Sequence, residues 1–114
     1  MSDCVFCKIV RGEAEARIVY RDDHVTAFED IAPQAPTHIV LVPNRHIRCL
    51  NEVVGDEEGL LADLLMAAQR VAELAGLTGS GYRLVINTGR DAGQSVPHLH
   101  VHVLGGRRLK WPPG

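Results

Sequence analysis

The ten residues SVPHLHVHVL, Ser95 to Leu104, limit the possible fold more than any other stretch of the chain. Histidine alternates with an apolar residue from His98 to Val103, and a period of two fits an extended strand. On such a strand His98, His100 and His102 project to one side at intervals of roughly 6.6 Å, while Leu99, Val101 and Val103 project to the other. The chain therefore needs a sheet with one face closed by a hydrophobic layer. On the other face stand three of its six histidines.

Three uses of that face stay open on the residues alone. A solvated strand could carry the rings, although exposed strands seldom gather half of a chain's histidines so regularly. Two imidazoles two residues apart can ligate one zinc ion. A neutral ring with a pKa near ~6.5 can also serve as a nucleophile while its neighbours orient it. In the preceding loop, NTGRDAGQSVP, Gly89 and Gly93 let backbone N–H groups approach a ligand, and Asn87, Gln94 and Ser95 add uncharged hydrogen-bonding groups. Alone, that composition suits an ordinary hairpin loop as well as a phosphate. Beside three imidazoles the phosphate gains, because phosphoryl transfer depends on positioning and on stabilising negative charge.

The rest of the chain supplies the sheet and its cover. Val5, Phe6, Ile9 and Val10 have helical spacing before Gly12, which predicts a short N-terminal helical turn over residues 4–11. RIVYRD and HVTAFED predict a hairpin turning at Asp22 and Asp23. HIVLVP, bounded by Pro33, Pro36 and Pro43, is continuously apolar, as a strand buried on both faces is. The stripe Leu60, Leu61, Leu64, Leu65, Ala68, Val71, Ala72 and Ala75 predicts one long helix over residues 56–75, capped by Asp56 and stopped by Gly76. YRLVINT and HLHVHVL predict two last strands around the loop 89–97. The expected fold is α+β: an antiparallel five-stranded sheet packed with one long helix and a short N-terminal helix, in one domain spanning residues 1–114.

A formal charge of -2 with interspersed signs gives no broad basic surface for a nucleic-acid polymer or an anionic membrane. No apolar run nears the ~20 residues of a membrane span, and the start lacks the pattern of a signal peptide, so a soluble cytoplasmic protein is expected. Three cysteines suit free thiols better than a disulfide framework. The C-x-x-C pair Cys4 and Cys7 has the spacing of two zinc thiolates; redox motifs share it, but they usually open a helix after a strand, and no strand precedes this one.

HLHVHVL fits the His-φ-His-φ-His-φ-φ signature (φ apolar) of the histidine triad superfamily, and AGQSVPHLHVHVLGG resembles its Hint branch of nucleotide-binding hydrolases and transferases. FEDIAPQAPTHIVLVPNRHI, YRLVINTG and the ending WPPG extend the resemblance over nearly the whole chain. It implies a homodimer with sheets joined across the subunits, hydrolysis of purine nucleoside 5'-phosphoramidates to the monophosphate and an amine, and aminoacyl-adenylates as related substrates. By the same resemblance His100 is the nucleophile that becomes transiently nucleotidylated, with the His98 carbonyl fixing its tautomer. His102 contacts the phosphate, and Ser95 lies near the leaving nitrogen. Asn87 and the Gly93, Gln94 and Ser95 backbone complete a phosphate cradle, Asp30 accepts the ribose hydroxyls, and Val5, Phe6, Ile9, Phe28 and Ile31 form the base slot. On the residues alone Asp30 reads as a surface carboxylate and the apolar set as core.

Bacterial members with a similar cysteine pair hold a structural zinc with two histidines, and the matching positions are Cys4, Cys7, His46 and His98. The Hint proteins with the most similar tail generally lack the pair. No catalytic metal is expected. Trp111, near the end of the tail, is expected to dock toward the partner protomer's site, as it does in the family. His24 reads as exposed, His38 as a structural hydrogen-bonding histidine and Cys49 as a small buried residue. The leading expectation is a purine nucleoside phosphoramidase. A dinucleoside polyphosphate hydrolase, or a zinc-stabilised nucleotide-binding or protein-interaction module without catalysis, are the alternatives.

Overall fold

The computed structural model describes residues 4–114. Cys4 caps helix α1 (Val5–Arg11), its sulfur accepting from the Cys7 N–H, and Gly12 ends it with φ 77°, a left-handed conformation that glycine adopts without strain. The hairpin follows as β1 (Ile18–Arg21) and β2 (Val25–Glu29), with Asp22 Oδ1 accepting from the N–H groups of His24 and Val25 at the turn. Strand β3 (Thr37–Pro43) is buried along all but its first residue, as a doubly covered strand should be.

Helix α2 spans Glu58–Leu74, shorter than the predicted 56–75. Asp56 is not its cap. It lies in a 3-10 turn, Gly55–Glu57, where Glu57 accepts from the Val54 N–H and pairs with Arg45. Leu64, Ala67, Ala68, Val71 and Ala72 form the buried stripe, whereas Leu65 is half exposed. Gly76 stops the helix with φ 74°.

Strands β4 (Tyr82–Val85) and β5 (Val101–Gly105) complete an antiparallel sheet of order β1-β2-β3-β5-β4. Both are shorter than YRLVINT and HLHVHVL. Their pairing ends at Val85 opposite His102, because Leu99 donates instead to the Ile47 carbonyl and His98 to that of Val96. Val25, Ala27, Ile39, Leu41, Val101 and Val103 pack one face of the sheet onto α2, with Leu99 joining the same core. On the other face Phe28, Val40 and Val42 meet Ile9 of α1, and the histidines occupy what α1 leaves uncovered.

Candidate active site and metal centre

Strand register, rather than sequence proximity, assembles the polar face. Phe28 pairs with Val40 and Val40 with His102, so these residues share a face. Alternation adds His38 to it, and Asp30 follows Phe28 by two residues. The three polar side chains meet: His38 Nε2 is 2.8 Å from His102 Nδ1 and 3.5 Å from Asp30 Oδ2. Their protons can be assigned from backbone partners. The Gln34 N–H donates to His38 Nδ1 at 3.0 Å, so a neutral His38 carries its proton on Nε2 and donates it to His102 Nδ1. His102 then carries its own proton on Nε2. Burial, reinforced by His100 and His38, lowers the His102 pKa to about 4, and burial likewise lowers that of His38 against the pull of Asp30.

His98 and His100 precede β5 and lie outside the regular ladder. His100 donates from Nδ1 to the His98 carbonyl at 2.7 Å, which leaves a lone pair on Nε2. The His100 ring is buried, 4.9 Å from the His102 ring and 5.1 Å from that of Phe6, both edge-on. His98 is fully buried and donates from Nε2 to the Pro43 carbonyl at 3.0 Å, so its lone pair is on Nδ1. Burial holds the His98 pKa down at about 4. The triad thus contains three differently committed rings: the free proton or lone pair faces a different neighbour in each.

The His98 lone pair points into a cluster of Cys4, Cys7, His46 and His98, whose donor atoms lie within 4.8 Å of one another. His98 Nδ1 is 3.3 Å from Cys4 Sγ, 3.6 Å from Cys7 Sγ and 3.2 Å from His46 Nδ1, which is itself 3.2 Å from Cys7 Sγ. Tetrahedral zinc with bonds of about 2.3 Å to sulfur and 2.05 Å to nitrogen has S···N edges of about 3.6 Å and N···N edges of about 3.3 Å. The cluster has nearly those edges, and the Pro43 carbonyl supplies the outer hydrogen bond that orients a ligating imidazole. Burial, then the neighbouring Cys4 thiol, raises the Cys7 pKa, a balance that a dication reverses. This residue set fits zinc. Asp30, His38 and His102 also converge, but His38 Nδ1 accepts a backbone N–H, so its Nε2 must keep a proton and cannot offer a lone pair to an ion.

Other expected site residues are divided between contact positions and support. Ile9 and Ile31 line a cavity of about 920 Å³ together with Ile18, Ala16 and Arg17. Phe28 is instead buried in the core beneath it, Phe6 walls His100, and Val5 is half exposed away from the cavity lining. Ser95 is exposed, and Asn87 is half-buried just beyond β4. Gly89 and Gly93 take φ 83° and 77°, as the loop requires. The Gln94 side chain braces that loop: its oxygen accepts from the Gly89 N–H, and its nitrogen donates to the carbonyls of Arg48 and Val96. Trp111 is exposed in this chain, on a tail tied down where Arg83 donates to the Lys110 carbonyl and Arg107 to that of Gln34. Ile18 was not among the expected site residues, and His38, which is the hydrogen-bonding histidine the sequence suggests, was not expected to reach His102. The signal for His38 was its strand-face parity with His102, which needs the β3–β5 register to be read.

The sequence profile of the HIT domain family matches residues 11–109. The chain is 49% identical over 107 residues to the purine nucleoside phosphoramidase of Escherichia coli K12, covering 94% of this chain and 90% of that protein. The crystal structure of a HIT family hydrolase from Legionella pneumophila superposes with a TM-score of 0.96 at 48% identity, covering 98% of this chain and all of the other. A zinc-bound histidine triad family protein from Mycobacterium smegmatis superposes with a TM-score of 0.83 at 34% identity, covering 93% and 76% of the two chains.

Proposed function

The chain belongs to the HIT domain family, and on that premise we propose that it is a nucleotide-binding hydrolase that cleaves purine nucleoside 5'-phosphoramidates, with aminoacyl-adenylates as related substrates. The observation that carries this reading is the hydrogen bond from His100 Nδ1 to the His98 carbonyl, which leaves Nε2 as a nucleophile of fixed direction. The base enters the cavity lined by Ile9, Ile18 and Ile31, and Asp30 accepts from the ribose hydroxyls. The loop holding Gly93, Gln94 and Ser95, with Asn87, cradles the phosphate. His102 Nε2–H donates to a non-bridging oxygen.

In the first step His100 Nε2 bonds to the α-phosphorus as the P–N bond breaks. The amine leaves with that electron pair and takes a proton at the Ser95 hydroxyl, which solvent replenishes because Ser95 is exposed. In the second, water attacks the nucleotidyl-histidine, the N–P bond returns its pair to His100, and one proton passes to solvent. A zinc ion held by Cys4, Cys7, His46 and His98 supplies structure, since four protein ligands close its shell. Cysteines that form no disulfide suit a reducing cytoplasm.

We read residues 1–114 as one domain that works as a homodimer. Support comes from β4, an edge strand whose Tyr82 and Leu84 are part-exposed, from Ile86 part-exposed just past it, and from Leu65 and Met66 exposed on α2. A monomer mass in sedimentation equilibrium rejects the dimer. Trp111 then has a partner's site to reach. The function is tested by mixing the purified protein with adenosine 5'-phosphoramidate and following AMP release. Turnover is expected, with kcat reduced by about 10³-fold or more in His100→Ala. Turnover surviving that change sinks the nucleophile. AMP binding without wild-type turnover favours a binding module, and preference for a dinucleoside polyphosphate favours the other hydrolase reading.

A further inference from the structure

We propose that the Cys4–Cys7–His46–His98 cluster is a positioning device for the nucleophile: ligation of zinc by these four residues sets the tautomer and aim of His100 through the backbone of His98. This rests on the reading of His100 as the nucleophile. The carbonyl that accepts the His100 Nδ1 proton belongs to His98, the residue whose Nδ1 faces both thiols. That carbonyl precedes β5, so no ladder hydrogen bond of the sheet holds it. The His98 peptide is fixed by its ring, through Pro43 on one side and the metal donors on the other, and by the Leu99 N–H on the Ile47 carbonyl.

A second restraint comes from the same cluster. Phe6 sits in α1 between the two cysteines, and its ring packs edge-on against both His98 at 6.0 Å and His100 at 5.1 Å. Helix α1 has seven residues, too short to hold its place by helix propensity alone. Cys4 and Cys7 tie its N-terminal end to His46, just past β3, and to His98. Releasing the ligands frees both the acceptor of the His100 proton and the wall beside its ring. The proposed nucleotide cavity, lined by Ile9 in the last turn of α1 and by residues beyond that end, is less affected.

The test compares the full chain loaded with zinc, the wild type stripped by a chelator and then reloaded, and Cys7→Ser. Elemental analysis reads the metal, far-UV circular dichroism the fold, and ¹⁵N NMR of the imidazoles the tautomer of His100. We expect one zinc per chain and a single Nδ1–H form of His100 in the loaded protein. Stripping is expected to leave the fold intact, mix the two His100 tautomers, lower kcat about 10- to 100-fold and change KM less than about threefold. Zinc must restore all of these. The idea is overturned if the chain takes up no zinc, if His100 keeps one Nδ1–H form after stripping, or if stripping unfolds the protein. Should Cys7→Ser not fold, the stripped wild type still decides. Should no form turn over, the enzymatic reading fails, and the tautomer signal still decides the coupling.

Discussion

At the scale of the residue, the three histidines of HLHVHVL look equivalent in sequence and are made different by one hydrogen bond each. His98 is committed through Nε2 to Pro43, His100 through Nδ1 to His98, and His102 through Nδ1 to His38. His38 acts on His102 rather than on substrate and is a positioning residue. His38→Ala removes the donor to His102 Nδ1 and frees that ring to take either tautomer. In the proposed reaction kcat falls roughly 10²-fold while KM changes little. Steady-state kinetics check this, and an unchanged kcat refutes it; His38→Gln, which keeps an N–H donor, recovers part of the loss. The sequence contained the triad and the cysteine pair as readable spacings, because each is local. It did not contain His38's part, since only the pairing of β3 with β5 brings residues 38 and 102 together.

Among the elements, α1, the β1–β2 hairpin, β3 and the buried stripe of α2 were legible because each rests on its own period of apolar residues. Their ends were not. The start of α2 is set by Glu57, whose partners Val54 and Arg45 lie outside the helix, and β5 loses His98 to His100 to contacts with Ile47, Val96 and the Cys4, Cys7 and His46 side chains. Two glycines show how differently position weighs. Gly59, near the start of α2, has open space where a Cβ would stand, so Gly59→Ala stabilises by a few tenths to about 1 kcal/mol. At Gly105 a Cβ would come 2.8 Å from buried Leu77, so Gly105→Ala destabilises by about 1–3 kcal/mol. Urea unfolding of both variants gives the signs, and equal midpoints refute the argument.

Over the whole molecule, burying several neutral imidazoles makes stability depend on pH in a direction the geometry fixes. In the unfolded chain His102 takes up a proton near its ordinary value of 6.5, whereas in the fold it does so only near about 4. Below pH 6.5 the unfolded state therefore binds more protons, so the contribution is fully present above 6.5 and is lost as pH falls toward 4. His38 shifts in the same direction, and His100 and His38 oppose a charge on His102 while Asp30 favours it. Allowing for partial exposure of the ring, the loss attached to His102 is about 1–2 kcal/mol. Acid release of the zinc proposed at the cysteine cluster would act in the same direction, so the wild-type curve alone does not isolate the histidine. The comparison with His102→Gln does. Its midpoint in urea should fall less steeply between pH 6.5 and 4.5 than that of the wild type, because glutamine has no proton to gain while the metal ligands are common to both. Parallel curves for the two proteins would mean that His102 enters the fold without the desolvation argued here, and that the acid sensitivity belongs to the thiolates and their histidines.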